Sequence, residues 1–526
     1  MPDPVPTGPS ATGSAPSTVT DAVPHSQGTP LRVRDALRDP RRLKTEVLAG
    51  LVVALALIPE AISFSILAGV DPRLGLFASF TMAVTISVVG GRPAMISAAT
   101  GAVALVVAPV VASHGVDYLI ATVILAGLLQ ILLAVLGVAK LMRFIPRSVM
   151  VGFVNSLAIL IFIAQLPHLI GPDLPWLVYP LTIAGLIMLV GLPKLTQVVP
   201  APLIAIVVLT VLVVATGWQV PDVASQGERP NSLPALLIPD VPLTVETLRI
   251  IAPYALAMAL VGLMESLLTA KLVDDITDTH SDKTRESWGQ GVANVVTGFF
   301  GGMGGCAMIG QTMINVKESG ARTRISTFLA GVFLLILVVA LGDIVGLIPM
   351  AALVAVMIMV SVGTFDWHSV RPSTLRRMPL SETAVMATTV IATVVTDNLA
   401  IGVVLGVLCA MVMFARRVAH LTRIEKVWET DVDDDGTVDI RRYRVSGQLF
   451  FASSNDLVYQ FDYAGDPATV IIDLTDAEVW DASTVASLDA VIAKYRDRGK
   501  EARIVGLDGA SAERLELLSG NLGEGN

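Results

Sequence analysis

From about Glu46 to Ala415 the chain is a series of apolar stretches of membrane-spanning length with short interruptions. A helix of about 20 apolar residues crosses a hydrocarbon core of roughly 30 Å. Lipid offers backbone amides no partner, so a spanning segment must be a helix or a strand of a closed barrel. Nothing here alternates as a barrel strand would, which leaves helices. A large soluble helical protein is the competing reading. It would need about a quarter of its residues charged, whereas only 15% of these 526 residues are.

About fourteen segments emerge, near 46–69, 73–89, 96–112, 117–138, 146–166, 176–191, 201–216, 244–272, 286–299, 308–317, 324–347, 349–363, 380–396 and 398–415. The third and tenth stand apart. They are short, rich in Gly, Ala, Ser and Thr, and follow the interruptions Gly90–Gly91–Arg92–Pro93 and Gly301–Gly302–Met303–Gly304–Gly305. Each predicts a half-helix starting deep in the protein, near Ile96 and Ile309. Its free N–H groups and positive dipole end would face the interior, as an anion requires. Alternatively, the glycines serve only close helix packing.

Charge sets orientation. With the N-terminus inside, the inner loops hold Lys140, Arg143, Arg147, Lys194, Lys271, Lys283, Arg285, Lys317, Arg322, Arg324, Arg371, Arg376, Arg377, Arg416 and Arg417. The outer loops hold little beyond Arg73, Arg229 and Arg249. Lys and Arg collect on the cytoplasmic side, so both ends of the chain are expected there.

Residues 1–43 read as a disordered tail: Pro, Ser, Thr and Gly dominate at first, with neither the basic start nor the apolar core of a signal peptide. The tail ends in a basic run of Arg32, Arg34, Arg38, Arg41, Arg42 and Lys44. Residues 44–418 form the transmembrane domain. Within 419–526 an acidic hairpin turn (Asp431 to Asp435) precedes Ala468–Leu474, a helix near 484–498 and Glu501–Leu507. Strand, helix and strand at that spacing indicate a small α/β domain.

Several functions are excluded. The net charge of −9 sits mainly in the soluble ends and loops, and there is no basic stripe with interleaved aromatics to bind nucleic acid. Cys306 and Cys409 lie in or beside apolar segments and suggest neither disulfide nor zinc site. All six histidines fall in the tail, in loops or near span ends, against a histidine proton relay. No nucleophile–base pair or metal constellation suggests an enzyme, and no cofactor is expected.

Three short correspondences link the two halves. Leu57–Ile58–Pro59–Glu60–Ala61 resembles Gly262–Leu263–Met264–Glu265–Ser266, Ala94–Met95–Ile96–Ser97 resembles Ala307–Met308–Ile309–Gly310, and Phe144–Ile145–Pro146 resembles Leu347–Ile348–Pro349, at offsets of 205, 213 and 203 residues. Basic residues precede the first span but follow the eighth, so the copies face opposite ways, with seven spans each. Inverted repeats place a transporter's substrate at their interface near mid-membrane.

Glu60 and Glu265 fall within spans at matching positions. A charge at mid-bilayer costs about 2.5–3.5 kcal/mol on insertion scales and is a functional candidate by default. Glu60 follows Pro59, whose missing N–H loosens the helix. Candidate anion contacts are Glu60, Ser97, Ala98 and Thr100 from the first half, and Ile309, Gly310, Gln311 and Thr312 from the second. Glu265 and Thr269 share a helix face and could hold a proton or sodium ion. Only this copy pairs its acid with a hydroxyl four residues on, so the cation is assigned there. Asn155, Gln130 and Gln165 are expected to bridge helices.

These residues resemble the SulP anion permeases with a C-terminal STAS domain. The likeness runs from about Lys44 to nearly the end of the chain. It is carried by Leu57–Phe64, by Ala68–Gly69–Val70–Asp71–Pro72 with Gly75–Leu76, by Gly91–Arg92–Pro93 with Ile96–Ser97, and by Gly289–Asn294 and Gly301–Gly305. The resemblance implies a seven-plus-seven fold like that of uracil permeases. A core of spans 1–4 and 8–11 would move, elevator-like, against a gate made of the rest, in a homodimer. It implies a small anion (sulfate, bicarbonate, chloride or a dicarboxylate) carried with H+ or Na+ across a bacterial inner membrane.

Two departures bear on coupling. Animal relatives carry a basic residue where Gln311 stands. Sodium-coupled bicarbonate members have an aspartate where Glu265 stands and a hydroxyl residue near Ile309, so the longer acid and apolar Ile309 favour a proton. In the STAS-like domain, Asp481–Ala482–Ser483–Thr484 resembles the turn phosphorylated in related regulators, which makes Ser483 a candidate regulatory site. The alternative is that Ser483 or Asp481 only caps the helix. At the level of the whole protein, the alternatives to symport are nucleobase transport, and an anion channel or anion-responsive sensor signalling through the STAS domain.

Overall fold

The computed structural model describes residues 33–137, 145–171, 174–195, 200–226, 233–419, 422–433 and 436–518. Of the tail expected to be disordered over residues 1–43, the first 32 lie outside the described residues, as do the repeat residue Phe144, the loop residues Lys140, Arg143 and Arg229, and Asp434 and Asp435 of the acidic turn, whereas Val33–Arg38 is helical and the first span already begins at Pro40.

Fourteen helices among the described residues follow the apolar segments. The first seven are α1 (Pro40–Leu67), α2 (Pro72–Val89), α3 (Gly101–His114), α4 (Val116–Val135), α5 (Arg147–Ile163), α6 (Val178–Leu195) and α7 (Ala201–Thr216). The second seven are α8 (Val245–Thr277), α9 (Lys283–Phe299), α10 (Ile309–Met313, continued by a π turn to Glu318), α11 (Arg324–Gly346), α12 (Met350–Thr364), α13 (Leu380–Thr396) and α14 (Leu399–Ala419). Their starts carry ordinary caps: Asp39, Thr244, Asp282 and Thr323 each accept a first-turn N–H.

Seven of the helices are long and apolar enough to cross a membrane, and five more are shorter apolar helices. The other two are α9 and α10. Helix α9 turns Glu286, Gln290, Asn294 and Thr297 into the protein, all fully buried. Its polarity is spent inside, where partners wait for it.

The third segment differs from expectation. Helix α3 starts at Gly101, five residues beyond Ile96, because Ser97–Ala98 is extended (β1) and pairs antiparallel with Cys306–Ala307 (β2). The pairing demands close approach. A Cβ on Gly305 would lie 2.0 Å from Ala98 O, so only glycine fits there. Glycine also serves packing, since a Cβ on Gly127 of α4 or Gly291 of α9 would lie 2.6 Å from the carbonyl oxygen of the other. Within the interruptions themselves close approach is the rule, since a Cβ on Gly91 would also lie 2.0 Å from a carbonyl oxygen, that of Asp282.

After α14 the chain enters a four-stranded sheet in the order β3 (Arg423–Asp433), β4 (Gly436–Leu449), β5 (Thr469–Val479), β6 (Glu501–Val505). The β3–β4 hairpin is antiparallel and the other pairings are parallel. Helices α15 (Phe451–Leu457), α16 (Ala482–Arg496) and α17 (Gly509–Leu518) complete the domain. Apolar residues including Val445, Ile472, Leu474 and Leu488 fill its core. Within it the carboxylate of Asp466 accepts the Tyr443 and Tyr495 hydroxyls at 2.6 and 2.5 Å, and burial beside that carboxylate pushes Tyr443 up to about 12.

Candidate functional site

The strand crossing is fixed by side chains from helices distant in sequence. Met308 N–H donates to Ile96 O at 2.9 Å, and Ile96 N–H donates to Thr312 Oγ1 at 3.0 Å. Ala307 N–H donates to Ser266 Oγ of α8 at 3.1 Å, and Ala99 N–H to Ser79 Oγ of α2 at 3.2 Å. Asn294 of α9 clamps Gly305, accepting its N–H at 2.9 Å and donating to its carbonyl at 3.0 Å, and donates to Gln130 Oε1 of α4 at 2.9 Å. Thr327 Oγ1 of α11 donates to Met95 O at 3.2 Å. Buried amides are satisfied here by a cage of hydroxyls and carboxamides rather than by a sheet.

The cage absorbs several candidate residues. Ser97 is fully buried and accepts from Gln290 Nε2 at 2.7 Å. Thr312, also fully buried, is spent on Ile96. Ala98 is buried in the strand pair. These residues hold the crossing together.

The others gather at two helix starts of opposite character. Helix α10 begins without a side-chain cap after Met308, and Gly310 is exposed, with nothing within 4 Å of the place a Cβ would take. The first-turn N–H groups of a helix have no carbonyl one turn back, and no side chain among the described residues takes them here. Ile309 and Glu60 are half-buried at this helix start, and the buried Gln311 side chain lies against the Glu60 carboxylate. Helix α3 begins with Thr100 as cap, its Oγ1 accepting Val103 N–H at 3.3 Å. Phe64 closes over that start, 2.9 Å from where a Cβ on Gly101 would stand.

Glu265 lies buried behind the crossing, with Cys306 Sγ donating to its Oε2 at 2.9 Å. The same sulfur is 3.1 Å from Thr100 Oγ1, so a thiol joins the acid of α8 to the cap of α3. Thr269 Oγ1 donates at 2.8 Å to the Glu265 backbone carbonyl, not to its carboxylate. A hydroxyl on a helix bonds the carbonyl four residues back unless something better competes, and nothing here does. The expected acid–hydroxyl pair is therefore an acid–thiol pair.

Sequence reasoning missed two further acids. Glu286, fully buried, accepts Gly91 and Arg92 N–H at 2.7 and 2.9 Å through one oxygen and Gln290 Nε2 at 2.8 Å through the other, tying the glycine approach to Ser97. Glu46 caps α11. Both sit near span ends, where an acid carries no sequence signal of burial. Among the bridging candidates, Asn155 joins Ser369 and Gln130 joins Asn294, whereas Gln165 bonds, among the described residues, only Ile161 O one turn back. In the C-terminal domain Asp481 is the cap of α16, accepting from Thr484 N–H at 3.0 Å, and Ser483 is exposed. No group of three or more His, Cys, Asp or Glu among the described residues could hold a metal ion.

Comparison with known proteins identifies the class. The sequence model of the sulfate permease family matches residues 43–176 and 174–389, and that of the STAS domain matches 431–520. The chain belongs to the sulfate permease family, which is a family of transporters and not of enzymes. It is 51% identical over 477 residues to a Bacillus subtilis (strain 168) protein named "Putative sulfate transporter YbaR", covering 91% of this chain and 97% of that one. It is 25% identical over 518 residues to the bicarbonate transporter BicA of Synechocystis, covering 91% of each. The fold matches the solved transmembrane domain of a cyanobacterial BicA (TM-score 0.62, 24% identity, 71% of this chain and 98% of that one). It also matches murine Slc26a9 solved in its inward-facing state (TM-score 0.76, 16% identity, 90% and 87%).

Proposed function

We propose that this chain takes up a small oxyanion, sulfate first among the candidates, in symport with a proton. The observation that carries the reading is the open start of α10. Among the described residues no group outside the helix is bonded to its first-turn N–H groups, and Gly310 leaves room beside Glu60 and Gln311, with buried Glu265 behind the crossing. A helix start attracts the anion, but among the described residues no lysine or arginine is bonded to either acid to balance its charge. An anion entering between two carboxylates must therefore bring a cation. Sodium favours a shell of hard oxygen donors, and soft sulfur does not suit it. Here a thiol faces the Glu265 carboxylate, the Thr269 hydroxyl is spent on a carbonyl, and Ile309 is apolar. A proton needs only the carboxylate. The 51% identity to YbaR supports sulfate over bicarbonate or a dicarboxylate.

The cage also supports movement of a core as one body. Each of α1–α4 and α8–α11 gives a side chain to the crossing or its acids: Glu60, Ser79, Thr100 at the head of α3, Gln130, Glu265, Asn294, Gln311 and Thr327. The remaining helices bond among themselves, as Ser361 of α12 does to Ala158 O of α5 at 2.7 Å and Thr182 of α6 to Ala351 O of α12 at 3.4 Å. We read the first group as the element that carries the site across the membrane against the second, in a homodimer with both chain ends cytoplasmic. Ser483, exposed beside the Asp481 cap, is the proposed phosphorylation site.

The test is uptake of labelled sulfate, bicarbonate and fumarate into proteoliposomes under imposed pH or sodium gradients. Sulfate accumulation driven by an inward proton gradient alone is expected. Accumulation only with sodium would overturn the proton.

A further inference from the structure

The basic run that leads into the first turns of α1 has no part in transport as read above, and the structure places a cavity against it. Val33–Arg38 forms a short helix that buries Ala36 and leaves Val33 and Leu37 exposed. Beneath it lies a cavity of about 180 Å³ between the starts of α1 and α11, walled by Arg42, Thr45, Glu46, Arg322 and Thr323. Its one acid is already engaged. Glu46 Oε1 accepts Arg322 and Thr323 N–H at 2.8 and 3.0 Å, and Oε2 accepts Ser326 N–H at 3.2 Å, so its charge is balanced by the N-terminus of α11. Both arginines keep donors in reserve. Arg322 uses Nη1 for the Val316 and Ala321 carbonyls, and among the described residues Arg42 meets only Asp39, through Nε at 3.4 Å. Thr323 Oγ1 accepts Ile325 N–H, which leaves its own proton without an acceptor among the described residues.

We infer that this cavity binds the phosphate of an anionic phospholipid in the leaflet on the basic side of the protein. Two guanidinium groups and a hydroxyl suit phosphate oxygens. Basic pockets between helices at the membrane surface recognise such headgroups. The exposed Val33 and Leu37 beside the cavity offer apolar surface for the acyl chains, which a free anion would not use. Arg322 belongs to the segment joining α10 to α11, so a bound lipid links the start of α1 to the exit of the helix whose other end faces the anion.

The full-length protein in nanodiscs of phosphatidylcholine, with or without phosphatidylglycerol, tests this by lipid retention and by thermal unfolding. Phosphatidylglycerol should be retained and should raise the unfolding temperature. Arg42→Gln, which removes no bond inside the protein beyond the exposed contact with Asp39, should weaken retention about five-fold, and Arg42→Gln with Arg322→Gln further still. Arg34→Gln with Arg38→Gln removes equal charge outside the cavity and should leave retention nearly unchanged. Equal loss in that control, or full retention without Arg42 and Arg322, would overturn the site. Stabilisation by inorganic phosphate in phosphatidylcholine alone, equal to that by phosphatidylglycerol, would overturn the lipid as occupant.

Discussion

Glu60 of α1 and Glu265 of α8 match in the sequence correspondence between the two halves of the membrane domain, yet their surroundings are opposite. Glu60 is half-buried beside an open helix start and touches Gln311, whereas Glu265 is buried against a thiol that leads to a closed start. Glu60 lies against the broken helix of the other half, whereas Glu265 reaches the start of α3 only through Cys306 of its own half. The open pair has room and free N–H groups, as an anion needs. The closed pair has neither, and suits an ion as small as a proton. The difference comes from a few residues: glycine at 310 against Phe64 over Gly101, and Gln311 against Cys306.

Both halves depend on the crossing, so the largest effect should come from its tightest contact. Gly305→Ala places a methyl group on the Ala98 carbonyl and should abolish uptake, with about 1–3 kcal/mol of stability lost. Wild-type uptake by that variant would show that the strands do not need to touch. Gly310→Leu fills only the open side. It should raise the KM for sulfate by at least about ten-fold with thermal stability unchanged, because nothing stands near its Cβ. Cys306→Ala removes the bond to Glu265 and should slow proton-driven uptake by about three- to ten-fold, in line with one hydrogen bond of about 1 kcal/mol, with Cys306→Ser restoring most of it. Thr269→Val should cost least, since its hydroxyl serves a backbone carbonyl. A loss as large as that of a Glu265 variant would restore Thr269 as a cation ligand.

The membrane helices were legible because apolar length is a direct physical demand of the bilayer, and segments near 244–272 and 398–415 reappear as α8 and α14 almost to their ends. The two acids were legible for the same reason, as costly groups in apolar runs. The crossing was not. Ile96 to Thr100 looks like the head of a helix until it pairs with a strand some 200 residues away. The tetrapeptide match set Ser97 against Gly310, whereas aligning β1 on β2 sets Ser97 against Cys306, four residues earlier. Cys306 reads in the sequence as one of two cysteines in or beside apolar segments, and a lone thiol there shows its partner only in three dimensions. Thr269 misled in the other direction: sharing a helix face with Glu265 says nothing about which oxygen its proton chooses.

The most direct measurement compares Glu265→Gln with wild type in two modes, proton-driven accumulation of labelled sulfate and sulfate–sulfate exchange without a gradient. A neutral carboxamide can still accept from Cys306, so folding should be intact. Accumulation should vanish while exchange persists, because the site still takes the anion but no longer carries the proton with it. Full gradient-driven accumulation by Glu265→Gln would contradict coupling at the closed site.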